Sequence, residues 1–204
     1  MLLEQGFNED EAKLAATQVI SRTTYPASEL KTTSWVKENS AVCELTGYEM
    51  EKLTKDKLYQ SALHLYEVRD ALEKHLSNRT NELFDLQDKI ILYDLTNTFP
   101  IAIGIEGEKR RSKLASYGRS KEKRSDAKLV VLALVVNVEG FIKYSSILEG
   151  NIADNETLGA MIEKLSKHTC NPNAVIVLDE DIATEDNFKL IDEKGYKNRC
   201  VSRS

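Results

Sequence analysis

The stretch IILYDLTNT, residues 90–98, decides the fold. It begins as the aliphatic and aromatic run of a buried β-strand, and Asp94 then interrupts it. Burying an unpaired carboxylate costs on the order of several kcal/mol, so the residue needs a reason to be there. Two reasons are open at this point. Asp94 either sits where the strand leaves the sheet and caps a turn through Thr96, or it holds a metal ion.

Outward from this stretch the chain falls into two halves of different period. From Lys89 on, KIILYDLT (89–96) reads as a strand; LVVLALVVN (129–137) and FIKYSSILEG (141–150), joined at Glu139-Gly140, read as a hairpin. The middle strand is apolar on both faces, which predicts a sheet covered on both sides. DNETLGAMIEKLSKH (154–168) predicts a helix that opens with Asp154 as its cap and carries Leu158, Met161, Ile162 and Leu165 on one stripe. AVIVLDE (174–180) follows as a strand. TEDNFKLIDEKG (184–195) predicts a helix from a Thr184 cap to Gly195 that buries Phe188 and Ile191, and NRCVSRS (198–204) one more short strand.

Upstream the period is helical. NEDEAKLAATQVISRTT (8–24) has an Asn8 cap and places Leu14, Ala15, Val19 and Ile20 on one face. LYQSALHLYEVRDALEKHL (58–76) predicts one long helix with Leu58, Ala62, Leu65, Leu72 and Leu76 as its apolar stripe. The domain expectation is therefore a helical region over 1–86 and an α/β core over 87–204.

Composition excludes several classes. At 204 residues and 41% hydrophobic content the chain can bury a core, yet its longest apolar run, LVVLALVV (129–136), is far short of a bilayer span. No membrane partner is expected. Cys43, Cys170 and Cys200 are far apart and lack Cys-x-x-Cys spacing, which suggests neither a disulfide framework nor a zinc site and fits a cytoplasmic location. The net charge of −5 averages two regions: residues 109–128 carry nine Lys and Arg against Glu122 and Asp126, a balance of +7, and the remaining 184 residues carry −12. Such a run is either a solvated loop or a contact for a phosphate backbone.

Asp94 has a counterpart. AVIVLD ends its apolar run at Asp179 as IILYD ends at Asp94, so two strands each lead into a carboxylate. Strand ends are where functional groups collect in α/β sheets, and parallel neighbours would bring the two together. Paired carboxylates repel unless a cation lies between them, and magnesium commonly uses one or two carboxylates plus substrate phosphates. For Asp179 the alternative is a cap for the turn that follows.

The ordered strings YDLTNT (93–98), YGRSKEKRSD (117–126), LVVLALVVNVEGFIKYSSILEGNIAD (129–154) and VIVLDEDIATEDN (175–187) resemble insertion-sequence transposases of the DDE type. KGY (194–196) and VSRS (201–204) close the pattern, and the upstream TTYPASELKTTSWVKENSAVCELTG (23–47) is similar to the helical region that precedes their core, so the resemblance spans essentially the whole chain. It implies a ribonuclease-H-like mixed sheet with flanking helices, incomplete at the C-terminus and preceded by an α-helical region. It also implies metal-dependent strand cleavage and transfer on DNA, with Asp94 and Asp179 as catalytic carboxylates and ligands for Mg2+ or Mn2+. Arg119, Lys121, Lys123 and Arg124 would then contact DNA phosphates at transposon ends or target, in an oligomer bridging two ends, in a bacterial or archaeal cytoplasm near the nucleoid.

Three departures qualify what the resemblance implies. The family completes its site with a glutamate on a later helix, and no Glu here takes that role by position, so the chain reads as a truncated core, inactive alone, with a two-metal site only if a third carboxylate is supplied. Glu180 and Asp181 stand where the family has small residues, and Asp181 would strain a position that needed positive φ. FPIAIGIEGEKRR (99–111) replaces an aromatic followed by Phe-Glu-Gly. The competing expectation is a remnant that binds DNA or a transposase subunit without chemistry.

Overall fold

The computed structural model describes residues 1–98, 114–118, 128–168, 171 and 173–201. The chain forms two compact units, Met1–His75 and Leu76–Ser204.

The first unit is helical. Helix α1 (Glu9–Thr24) starts at a reciprocal cap: the Glu11 amide donates to Asn8 Oδ1 at 2.9 Å, and the Asn8 amide donates to Glu11 Oε2 at 2.9 Å. After it come α2 (Glu29–Asn39), α3 (Val42–Thr46) and α4 (Lys55–Glu67). Leu14, Val36, Val42, Cys43, Tyr48, Leu53 and Leu58 form their shared core.

The buried face of α1 is not the apolar face that spacing predicts. Leu14 and Ala15 are buried, but Val19 and Ile20 are exposed, and Thr17, Gln18 and Ser21 are buried instead. Two of these polar groups find partners across the unit. Gln18 Nε2 donates to the Leu58 carbonyl at 3.0 Å, and the Thr17 and Thr46 hydroxyls meet at 2.6 Å. The single long helix predicted over 58–76 is also broken: α4 ends at Glu67, Val68 intervenes, and α5 (Arg69–Phe84) starts anew, with Leu76 exposed.

The second unit is a five-stranded mixed sheet with order β3-β2-β1-β4-β5, formed by β1 (Ile90–Thr98), β2 (Val130–Asn137), β3 (Ile142–Glu149), β4 (Val175–Asp179) and β5 (Lys197–Val201). β1, β2 and β3 are antiparallel neighbours, while β4 lies parallel to β1 and β5 parallel to β4. This is the ribonuclease-H-like arrangement. Helices α6 (Leu158–His168) and α7 (Glu185–Glu193) complete the unit.

One sheet face is closed by apolar burial. Leu158, Met161, Ile162 and Leu165 of α6 and Ile191 of α7 are buried with Ile91, Tyr93, Leu95, Val131, Ala133, Val135, Ile176 and Leu178. Each Val, Leu, Ile or Met side chain among them, removed from water, contributes about 1.5–3 kcal/mol. The opposite face differs from the expectation of full cover. Along β2, residues alternate between buried and half-buried, and Ile90, Leu92 and Ile147 are exposed among the described residues. Before α6, a short 3-10 turn at Asp154–Glu156 replaces the predicted Asp154 cap.

The β2–β3 hairpin closes through Gly140, whose φ of +86° suits the turn, with its amide donating to the Asn137 carbonyl at 3.0 Å. At the opposite end of β2, Ser116 and Leu129 exchange backbone hydrogen bonds of 3.1 and 2.9 Å. A side chain at Gly118 would meet the Gly150 carbonyl oxygen at 1.9 Å, so the backbones there approach too closely for any other residue.

Candidate metal centre

Asp94 does not end its strand. β1 runs on to Thr98, and Asp94 lies within its antiparallel ladder, opposite Leu134 of β2. The residue is exposed, between buried Tyr93 and Leu95, because alternation turns it away from the covered face. The cost of burying its charge therefore does not arise. A turn cap through Thr96 is excluded, since Thr96 is itself paired with Leu132.

Asp179 is the last residue of β4, half-buried and opposite Val201 of β5. The parallel ladder pairs Ile90 with Val175, Ile91 with Ile176 and Leu92 with Val177. Each pair is separated by 85 positions, and the same offset carries Asp94 to Asp179. Both lie on the side of the sheet opposite Tyr93 and Leu178, which are buried. The β1–β4 ladder ends at Leu92 and Val177, so both carboxylates come two residues beyond the last parallel pair.

The segment after Asp179 is held by the Thr184 cap that the sequence predicts and by Asn187, which sequence reading did not single out. Asp179 Oδ1 accepts from the Glu180 amide at 2.8 Å, and Ile182 is buried. Thr184 caps α7, accepting from the Asn187 amide at 3.3 Å. Asn187, itself buried, donates to the Ile182 carbonyl at 2.7 Å and the Asn155 carbonyl at 2.9 Å, tying the turn to the approach to α6. An amide on the inner side of a nine-residue helix was the only signal for it. Asp181 lacks the positive φ that would have strained it; among described non-glycine residues only Asp85 and Asp88 have one.

Tyr93, next to Asp94 but on the covered side, is no candidate base. Burial pushes its hydroxyl pKa up to about 12, with the charges of Asp154 and Asp94 adding to the effect, so it stays neutral.

Asp94 and Asp179 are on the same face of neighbouring strands, and carboxylates supply hard oxygen donors of the kind that Mg2+ or Mn2+ takes. The residues thus fit a divalent cation. Among the described residues no three His, Cys, Asp or Glu side chains converge on one point.

Arg119, Lys121, Lys123 and Arg124 lie outside the described residues, but the base of their segment is described. The Ser116–Leu129 bridge brings the two ends of 117–128 together at the start of β2. Val130 pairs with Thr98, four residues along β1 from Asp94, a separation of about 13 Å at 3.3 Å per residue. No helix among the described residues is long and apolar enough to cross a membrane.

Neither a protein-family model nor a curated protein matches the chain. Solved structures are similar in fold at low identity. A Mos1 transposase paired-end complex with the left transposon end is 10% identical with a TM-score of 0.37, over 84% of this chain and 58% of that one. A Mos1 mariner paired-end complex with Mn gives 10% and 0.37, over 81% and 56%. A piggyBac transposase synaptic complex with hairpin DNA gives 13% and 0.43, over 95% and 41%. The chain thus spans somewhat over half the length of the Mos1 chains, and scores of this size carry no functional argument.

Proposed function

We propose that the chain carries the core of a DNA transposase of the DDE type, a metal-dependent phosphoryl transferase, with Asp94 and Asp179 as two of its carboxylates. The observation that supports this most is the parallel pairing of β1 with β4, whose offset of 85, carried two residues beyond the Leu92–Val177 pair, matches Asp94 with Asp179. A bound Mg2+ or Mn2+ supplies Lewis-acid activation of the attacking oxygen and stabilises the leaving oxygen of a phosphodiester. Asp94 and Asp179 hold that charge at a fixed point on the sheet. The cations of 109–128 would neutralise the DNA backbone. DNA ends and target are the substrates, and a second copy of the chain is the expected partner.

With two of three carboxylates assigned, the proposal requires cation-dependent engagement of DNA by the chain rather than cutting by the chain alone. Because phosphate oxygens complete such a coordination shell, duplex DNA should bind about tenfold more tightly in Mn2+ than in chelator, the equivalent of about 1.4 kcal/mol. Fluorescence anisotropy with a labelled duplex reads this. Asp94→Asn should remove the gain while leaving the affinity in chelator unchanged. An affinity that ignores Mn2+ in the wild-type chain would favour the reading of a DNA-binding remnant without chemistry.

A further inference from the structure

The unit containing the two aspartates buries a lysine. Lys143 is 0% exposed and its Nζ lies 2.8 Å from Asp88 Oδ1, with Asp88 at 2% side-chain exposure. A β-bulge puts it there. Val135 pairs with Tyr144 and Val136 with Ile142, so Lys143 is the extra residue between them, and its side chain turns inward beside Tyr144 rather than outward.

Asp88 is the hub of this cluster. Asn81 of α5 donates to its Oδ2 at 2.8 Å and also accepts from Lys143, while Asn137 at the end of β2 donates to its Oδ1 at 3.3 Å. Asn137 Oδ1 in turn accepts from the Phe141 amide at 2.8 Å, which ties the cluster to the hairpin turn. The backbone on either side of Asp88 is held by the other neighbour of β1: the Lys89 carbonyl accepts from the Val175 amide at 2.9 Å, and the Gln87 carbonyl from Asn171 Nδ2 at 3.1 Å. Residues 87–89 thus touch α5, β2, β3 and the entrance to β4 immediately before β1 begins. Asp88 adopts φ of +45°, a left-handed conformation that aspartate tolerates better than most residues.

We propose that Lys143, through Asp88, is the positioning group that locks the register of β1. A slip of one residue moves Asp88 by about 3.3 Å, which breaks its bonds to Lys143, Asn81 and Asn137. The same slip turns every β1 side chain to the opposite face and takes Asp94 out of line with Asp179. The functional half of this inference rests on the two-carboxylate reading, whereas the register lock does not.

Disulfide trapping tests the lock in the full chain, with Cys43, Cys170 and Cys200 replaced by Ser. Thr96→Cys with Leu132→Cys reports the native register, because those residues are opposite each other, and Thr96→Cys with Ala133→Cys reports a slip by one. With Lys143 intact only the first pair should cross-link. In Lys143→Met, or in Asp88→Asn/Lys143→Met if the single variant does not fold, native-pair cross-linking should slow about tenfold or more and the slipped pair should appear. Cross-linking confined to the native pair in both variants would overturn the lock. Mn2+ affinity, measured on the same Lys143 variants without the added cysteines, separates the two ideas. It should fall with register, and register loss at undiminished Mn2+ affinity would leave the lock standing and count against the two-carboxylate site.

Discussion

Raising salt from roughly 50 to roughly 200 mM is expected to weaken binding of duplex DNA to the full chain by about a thousandfold. The expectation follows from where the positive charge is: nine Lys and Arg fall within residues 109–128, while the remaining 184 residues carry −12 and repel DNA. Each phosphate neutralised releases a condensed counterion and adds about −0.9 to the slope of log affinity against log salt, so about six contacts give a loss of this size. Replacing Arg119, Lys121, Lys123 and Arg124 together with Gln should make that slope shallower by about 3 to 4. The pinned stem at Ser116 and Leu129 adjoins the end of β1 at Thr98, about 13 Å along the strand from Asp94. A flat salt response would remove the DNA role of this segment.

Lys143→Met is expected to destabilise the sheet unit by about 3–5 kcal/mol, because it leaves the Asp88 carboxylate buried without its counter-charge. Asp88→Asn should cost a comparable amount by stranding the ammonium. Removing both charges together should cost much less than the sum of the two, since a buried pair gains little over neutral groups of similar volume once the desolvation of both ions is counted. Urea unfolding of the four proteins gives the coupling directly. Additive single costs would mean that the two groups do not depend on each other.

The sequence and the structure agree most closely where a side chain's environment follows from period alone. The stripe of Leu158, Met161, Ile162 and Leu165 is buried as helical spacing requires, and the strands that carry Asp94 and Asp179 are adjacent and parallel. The position of Asp94 within its strand was harder to see. Apolar residues stop marking a strand once one of its faces opens to solvent, so β1 continues through Thr96 and Thr98 where the pattern suggested an end. Buried polar faces mislead in the opposite sense. Thr17 and Gln18 lie inside because Thr46 and the Leu58 carbonyl meet them there, partners that are distant in sequence.

Lys143 was illegible for a related reason. A strand pattern of strict alternation gives no sign of an inserted residue, and a lysine in IKYSSILE reads as solvent-facing until the bulge at Val135 and Val136 is known. The break at Val68 was equally hidden within an unbroken run of helix-forming residues.

The central claim is that Asp94 and Asp179 form one cation site. Electron paramagnetic resonance titration of Mn2+ into the full chain, without DNA, measures it most directly. Wild-type protein should bind Mn2+ at a site that both Asp94→Asn and Asp179→Asn weaken by more than about 100-fold, beyond the 10–100-fold typical of losing a group that only supports a ligand. Undiminished Mn2+ binding in either variant would contradict the shared site.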